Sequence, residues 1–189
     1  MKVNVPSSSS SLFVVFLLAL LASAATHTEV QADRIDPLLP FCKTISSGST
    51  VEFCMSALGS DNRSRDAGGY SALSIIAVDL LAANATSTGA KIGGLLKKAG
   101  GGKYDATTMY LQSCQSVNTS IVGLMPGCAA TIKGGEFDRA ALILERAASA
   151  VKGCEELFRD HNLTSPSTVE DDSAFKLAKL DVAQIGAAS

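Results

Sequence analysis

Five cysteines follow an apolar N-terminal segment in this chain of 189 residues, and together they restrict the folds available to it. Lys2 precedes a serine run and an unbroken apolar stretch from Leu12 to Leu21, which is followed by Ala22-Ser23-Ala24. A basic start, an apolar core too short to span a bilayer and a small-x-small exit are the parts of a secretory signal peptide. We therefore predict a signal peptide over residues 1–24, a mature lead-in over 25–36 and a secreted domain over 37–187.

Secretion changes how the cysteines are interpreted, because the oxidising compartments favour disulfides. Five cysteines predict two disulfides and one free thiol, and fifteen arrangements satisfy that count. The mature chain, without Lys2, has 15 basic and 18 acidic residues, a net charge of −3. That balance argues against nucleic acid as a main partner.

Four segments carry apolar residues at steps of three and four, which is the spacing of one helix face. Alternation of the kind that indicates strands is missing from the sequence. The segments have short links, so we predict an all-α fold, an antiparallel four-helix bundle over residues 70–187. They are Tyr70–Lys98, about Thr107 to Met125 with Leu124 in its stripe, Phe137–Phe158, and a fourth from about Ser167 with Phe175 in its stripe.

Local signals predict where these helices begin and end. Pro126-Gly127 is expected to kink or end the second helix. Lys133-Gly134-Gly135-Glu136 predicts a tight turn before the third. Ser167-x-x-Glu170 fits a capping box at the start of the fourth helix.

Residues 37–58 form a smaller unit in which two short helical stretches flank Ser46-Ser47-Gly48-Ser49. Each stretch is too short to persist alone in water. We expect a Cys42–Cys54 disulfide to hold this N-terminal helical hairpin together, contributing about 3 kcal/mol in the chain-entropy account.

Helix geometry selects the second disulfide. On a continuous helix Cys114 and Cys128 would lie about 21 Å apart, which is beyond the reach of a disulfide without a sharp bend at Pro126-Gly127. Cys114 and Cys154 instead lie on the inward stripes of consecutive antiparallel helices. We therefore pair Cys114 with Cys154 and expect Cys128 to be a free thiol.

Asn-x-Ser/Thr sequons begin at four asparagines. Asn84 falls about 20° from Leu73 on the apolar face of its helix, so we expect it to be unmodified and hydrogen-bonded inside the bundle. The remaining glycosylation candidates are Asn62, Asn118 and Asn162, and Asn62 in its Ser/Asp/Arg loop is the favoured site.

Signals of catalysis are weak. His27 lies in the lead-in, and His161 lies beside Asp160 near a helix end, where a dipole partner is a simpler role than a base. The sequence lacks Gly-x-Ser-x-Gly, a phosphate loop and a metal-spaced Cys/His cluster. We therefore predict no enzyme activity, no cofactor and no metal site.

Four short motifs on this background resemble the plant pectin methylesterase and invertase inhibitor family. They are Phe41-Cys42-Lys43-Thr44, Cys54-Met55-Ser56-Ala57-Leu58, Leu111-Gln112-Ser113-Cys114 and Cys154-Glu155-Glu156-Leu157-Phe158. The resemblance covers about Phe41 to Ala187. It implies a bundle with an N-terminal hairpin, the same two disulfides, secretion to the cell wall (the apoplast), and inhibition of a cell-wall enzyme.

The resemblance leaves two targets open. Invertase inhibitors resemble one another in a Pro-Lys-Phe turn, whereas this chain has Lys133-Gly134-Gly135-Glu136-Phe137 and lacks the proline. We therefore expect occlusion of a pectin methylesterase cleft, with cell-wall or vacuolar acid invertase as the alternative partner. For the invertase pocket the candidates are Glu136 and Phe137 in the inserted turn, next to Lys133. For the cleft the candidates are polar outward positions: Asp79, Thr86, Gln112, Gln115, Thr119 and Thr131.

The binding candidates also have simpler structural explanations. Most surface residues carry little binding energy, Phe137 fits the start of a core stripe, and Lys133 suits the negative end of a helix. A third function, carriage of a small apolar ligand, is supported by the apolar content but opposed by alanine-rich stripes that pack without a cavity.

Overall fold

The computed structural model describes residues 36–46, 49–99 and 105–189. The chain divides into Met1–Ile35 and Asp36–Ser189, and the second unit contains every described residue. The predicted signal peptide, His27 and the lead-in before Asp36 lie outside these ranges.

Six α-helices make up the described unit, which contains no strand within the ranges above. The N-terminal hairpin and the bundle both occur where the sequence predicted them, so the all-α prediction is confirmed. The helices are α1 (Leu38–Ile45), α2 (Ser49–Gly59), α3 (Tyr70–Lys98), α4 (Ala106–Lys133), α5 (Phe137–Arg159) and α6 (Thr168–Ala188), with a 3₁₀ helix at Asn62–Asp66 between α2 and α3.

The four long helices form a closed antiparallel ring, because α3 packs on α4, α4 on α5, α5 on α6, and α6 back on α3. The central core is built largely from alanine and branched aliphatic side chains, among them Leu81, Ile121 and Leu144. A second core joins the α1–α2 hairpin to α3 and α6, and a third lies around Phe158. Small core residues let the helices approach closely.

Helix α3 is long and apolar enough to cross a membrane by length and composition alone. In the structure, however, it packs against α4 and α6. It also contributes to all three cores, with Val78 in the central one, Leu73 in the hairpin core and Ile92 in the third. We therefore interpret it as the core helix of the bundle.

Both disulfides have the predicted pairing. Cys42–Cys54 joins α1 to α2, and Cys114–Cys154 joins α4 to α5. The loops they close span 12 and 40 residues, which corresponds to about 3 and about 4 kcal/mol in the chain-entropy account. Cys128 is free and buried in the central core.

Pro126-Gly127 was predicted to kink or end the second helix, and an end there is wrong, because α4 continues through Pro126 to Lys133. A proline inside a helix frees the carbonyl group four residues earlier. Pro126 lies on the exposed side of α4, and Val122 is 36% exposed, so water can bind that carbonyl group. The predicted stripe of α4 also needs correction, since Leu124 is 46% exposed.

The start of α6 differs from the expected capping box. Ser167 is the N-cap residue but makes no capping hydrogen bond from its side chain. Its hydroxyl group instead donates to Asp171 Oδ2 at 2.8 Å, and Glu170 pairs with Lys91 of α3. Phe175, predicted to be in the stripe, is 36% exposed. The buried face of α6 includes polar residues, which the apolar pattern alone assigned to the surface.

Two sequons behave differently from the predictions. Asn118, a glycosylation candidate, is 1% exposed and its Nδ2 donates to the Cys114 carbonyl at 2.9 Å. Nδ2 is the atom that would carry the glycan, so the folded chain leaves no room for one there. Asn84 is half-buried rather than central to the apolar face, but it is hydrogen-bonded as predicted, since its Oδ1 accepts from Thr88 Oγ1 at 3.5 Å. Asn62 and Asn162 are exposed.

Candidate target-binding surface

Two of the cleft candidates lie on one face of α3. Asp79 and Thr86 are seven residues apart, as are Thr86 and Gly93, so all three share a stripe that turns by only about 20° per seven residues. Both candidates are exposed. At Gly93 a side-chain carbon would lie 3.0 Å from Gln115 Nε2 of α4. The stripe therefore borders α4.

Three further candidates lie on the facing side of α4. Gln112, Gln115 and Thr119 are spaced by three and four residues and so share one helix face. Gln112 and Thr119 are exposed, and Gln115 is half-buried against Gly93. The structure thus places five of the six cleft candidates along the seam between α3 and α4. We call this surface, comprising Asp79, Thr86, Gln112, Gln115 and Thr119, the α3–α4 face.

The length and chemistry of the α3–α4 face follow from the helices that carry it. From Asp79 to Gly93 the α3 stripe rises about 21 Å. The hydroxyl groups of Thr86 and Thr119 donate to the carbonyl groups of Ala82 and Gln115, four residues earlier in each helix. These internal bonds fix the threonine side chains against the helices, so their ordering adds little cost to binding.

An ion-pair cluster lies at one end of the face. Arg63 of the 3₁₀ helix binds Asp79 at 2.8 Å and Asp61 at 2.7 Å. The hydrogen bonds from Arg63 lower the pKa of Asp61, and those two carboxylates raise the pKa of Arg63. Arg63 was not predicted to lie at this site, because helix spacing relates residues of one helix only, and Asp79 lies sixteen residues away in another element.

Thr131 does not belong to this face. It is buried, and its hydroxyl group donates to the Gly127 carbonyl at 2.7 Å. Thr131 was predicted to be an outward polar position, whereas the continuous α4 turns it inward.

The α4–α5 turn holds the other three candidates. Gly135 has φ +74°, a left-handed conformation that glycine adopts without strain. The amide groups of Gly134 and Glu136 donate to the carbonyls of Ala130 and Thr131, and these bonds close the turn. Lys133 and Glu136 are exposed on either side of it. Phe137 is half-buried and packs against the central core, as its core interpretation predicts.

A groove of about 460 Å³ between α5 and α6 was not predicted from the sequence. It is lined by Val151, Lys152, Glu155, Thr168, Asp171, Asp172 and Phe175. Burial and a hydrogen bond with the Glu155 carboxyl raise the pKa of Asp171 to about 7, although the Ser167 hydroxyl group opposes this. The Asp171 carboxyl therefore holds its proton in mildly acidic solution.

The same carboxyl groups lie near a third potential metal ligand, since ligand atoms of Cys154, Glu155 and Asp171 are all within 4.8 Å of one another. The Cys154 sulfur is already bonded to Cys114. A disulfide sulfur is not a thiolate and does not supply the ligand that such a site needs. This group is therefore better explained as a hydrogen-bonded acid pair.

His161 has the structural role expected from its position. Its Nδ1 lies 2.9 Å from the Leu157 carbonyl near the end of α5, and its ring lies 4.8 Å from that of Tyr110. A histidine bound to a terminal helix carbonyl acts on the negative end of the helix dipole.

Comparison with known proteins agrees with this architecture. The model of the plant invertase/pectin methylesterase inhibitor family matches residues 40–183. The chain belongs to this family. The match includes the helical hairpin from Pro40, both disulfides, the whole α3–α4 face and the α4–α5 turn. No curated protein matches the chain.

Membership in the family assigns the general activity. Its members are inhibitors rather than enzymes, and their partner is an enzyme such as pectin methylesterase or invertase. Proteins of the family are typically secreted to the apoplast. The α3–α4 face and the α4–α5 turn are thus the two surfaces to consider for binding a target enzyme.

Proposed function

We propose that this protein is a secreted inhibitor that binds a cell-wall pectin methylesterase and occludes its active-site cleft with the α3–α4 face. The placement of five polar candidates along one seam, over a length of about 21 Å, carries this proposal. Such a surface is extended and rigid, which suits a cleft that accommodates a polysaccharide chain.

Rigidity supports binding because it lowers the ordering cost of association. The Cys114–Cys154 disulfide joins α4 to α5, and the Lys91–Glu170 ion pair at 2.6 Å joins α3 to α6. Both helices of the α3–α4 face are therefore held from behind. Its polar character also fits a non-obligate complex, in which the protein must be stable alone.

Inhibition of an acid invertase through the α4–α5 turn is the second candidate. Lys133 and Glu136 are exposed on a turn closed by backbone hydrogen bonds, which is a shape that can enter a pocket. Phe137 is less suited to this role, because it packs against the central core and would have to leave it.

The test is a titration of the purified, oxidised protein into a pectin methylesterase and an acid invertase. Thr86→Arg and Thr119→Arg each place a long cation on the α3–α4 face. Each is expected to raise the inhibition constant against pectin methylesterase at least tenfold, or about 1.4 kcal/mol. The matched control is Ser149→Arg on the exposed side of α5, which should leave the constant unchanged.

Two results would overturn the proposal. One is an unchanged inhibition constant in both threonine variants, and the other is inhibition of the invertase alone across several isoforms of both enzymes. In the second case Glu136→Ala should weaken inhibition while Thr86→Arg should not, which would assign binding to the α4–α5 turn.

A further inference from the structure

Three fully buried polar side chains have no hydrogen-bond partner at any of their side-chain oxygen or nitrogen atoms. They are Ser74 of α3 and Asp181 and Gln184 of α6, each 0% exposed. Five atoms are involved: one hydroxyl oxygen, two carboxyl oxygens, and the oxygen and nitrogen of one amide. An unpartnered polar atom inside a protein carries a substantial free-energy penalty.

The three side chains lie together. Asp181 and Gln184 are three residues apart and therefore share one face of α6. The Ser74 hydroxyl group lies close enough to the Asp181 carboxyl to lower its pKa by a hydrogen-bond interaction, although the two groups do not meet the distance and angle of an ordinary hydrogen bond. The unpartnered atoms are thus concentrated where α3 packs against α6.

Two other buried hydroxyl groups of the bundle, those of Thr88 and Thr131, are satisfied within their own helices. Thr88 donates to the Asn84 carbonyl at 2.9 Å, and Thr131 donates to the Gly127 carbonyl at 2.7 Å. Ser74, also on a helix, makes no such bond. The Ser74 hydroxyl group therefore differs from those of Thr88 and Thr131, which donate to a carbonyl group of their own helix.

Among the residues that the structure describes, no positive charge lowers the pKa of Asp181. The Cys128 thiol of α4 is the titratable group whose pKa an ionised Asp181 would raise. The buried residues of α5 are all apolar or disulfide-bonded. In α1 and α2, which also pack on α6, Lys43 and Glu52 are exposed. Burial therefore holds the pKa of Asp181 well above its usual range.

We propose that Ser74, Asp181 and Gln184 form an internal hydration site that holds ordered water in the bundle core. Buried water bonds to polar groups that lack other partners and makes about three hydrogen bonds per molecule. Five unpartnered atoms therefore call for about two water molecules. Ala77 and Ala178 lie three residues from Ser74 and Asp181 on the same helix faces, and both are fully buried.

Water also suits the protonation of the site. A neutral Asp181 carboxyl both donates and accepts hydrogen bonds, as water and the Gln184 amide do. A closed network can then be completed without an ion. The site lies inside the bundle, so this inference does not depend on which enzyme the α3–α4 face binds.

A high-resolution crystal structure of the oxidised wild-type protein tests the proposal directly. We expect solvent peaks at hydrogen-bond distances, about 2.7–3.2 Å, from Ser74 Oγ and from the Asp181 and Gln184 side chains. Rotated side chains that bond to one another without water would overturn it. So would a peak at the shorter distances, about 2.3–2.6 Å, of a coordinated cation.

Magnetic relaxation dispersion of water oxygen-17 gives a second readout in solution, because it counts long-lived internal water. Ser74→Ala should reduce the dispersion amplitude, and Asp181→Leu with Gln184→Leu should remove the contribution of about two molecules. Thr88→Val is the matched control, since its buried hydroxyl group already has a partner in α3. An unchanged amplitude in Ser74→Ala would contradict the proposal even if the double variant did not fold.

Discussion

Replacement of Asp171 by asparagine is expected to stabilise the protein at neutral pH and to flatten the dependence of its stability on pH. Asp171 is 2% exposed at the floor of the α5–α6 groove. Burial is the first cause that raises its pKa to about 7, and the hydrogen bond with Glu155 is the second. At pH 7 about half of the folded molecules therefore keep a proton on Asp171 that the unfolded chain has released.

The direction of the effect follows from proton binding. An aspartate in the unfolded chain ionises near 3.8, so above that pH the folded state binds more protons than the unfolded state. The free energy of unfolding then falls as pH rises, by at most about 1.4 kcal/mol per pH unit for one group. Between pH 4 and pH 7 the Asp171 contribution amounts to about 4 kcal/mol as an upper limit. Burial also raises the pKa of Asp181, so this residue likewise lowers the free energy of unfolding as pH rises.

Asparagine reproduces the shape of the neutral acid. Its side-chain oxygen can accept the Ser167 hydroxyl hydrogen that now goes to Asp171 Oδ2, and its amide can donate to the neighbouring Glu155 carboxylate. We expect the free energy of unfolding of Asp171→Asn to exceed that of the wild type by about 2–4 kcal/mol at pH 7. At pH 4 the two free energies should differ by less than about 1 kcal/mol.

The measurement is denaturant unfolding followed by circular dichroism, without reductant, at pH values from 4 to 8. Asp172→Asn is the matched control, because Asp172 is exposed and pairs with Lys176 at 2.6 Å. In this control the free energy of unfolding should change with pH as it does in the wild type. Two results would contradict this prediction. One is a wild-type free energy of unfolding that is constant or rises from pH 4 to pH 7, and the other is the same pH dependence in Asp171→Asn as in the wild type.

Three further outcomes can be checked. Burial first, and then Asp181, raises the pKa of Cys128 to about 12, so thiol reagents should label the native protein about 10³-fold more slowly at pH 8 than the unfolded chain; equal rates would contradict the buried position. Glycopeptide mapping should find glycan on Asn62 and none on Asn118, whose Nδ2 is hydrogen-bonded. Pro126→Ala should stabilise α4 by about 1–3 kcal/mol in denaturant unfolding, since proline costs about 3 kcal/mol in a helix interior; destabilisation would mean that the packing depends on the proline.

Helix spacing and loop chemistry made most of the fold predictable. The bounds of α3 were predicted without error, and the buried stripe of α5 was predicted from Ala140 to Phe158. The disulfide pairing followed from distances along a helix, because 1.5 Å per residue separates Cys114 from Cys128 too far for a bond. These features depend on local geometry, which a sequence carries directly.

Errors arose where tertiary packing outweighs a local rule. Pro126 was expected to kink or end α4, and the helix does not end there but continues to Lys133 with Pro126 on its exposed side. Ser167 was expected to cap α6, but its hydroxyl group bonds to the buried Asp171 instead. Phe175 was assigned to the core because it is apolar, whereas α6 buries acidic and amide side chains in its place.

The α3–α4 face was also predictable only in part from the sequence. The sequence supplied Asp79, Thr86, Gln112, Gln115 and Thr119 as polar positions on two separate helices. Their placement on one seam depends on Gly93 and Gln115, which are far apart in the chain and meet only through packing of α3 on α4.

The sequence by itself determined the helices, the hairpin, the disulfide framework and the resemblance to an inhibitor family, because periodicity and cysteine spacing are local or nearly local properties. Tertiary structure alone decided which polar residues are buried. Asp171, Asp181 and Gln184 read as surface residues in the sequence, yet all are buried. The physical reason is that burial depends on which helix faces meet in the ring, and a side chain's own polarity does not specify its neighbours.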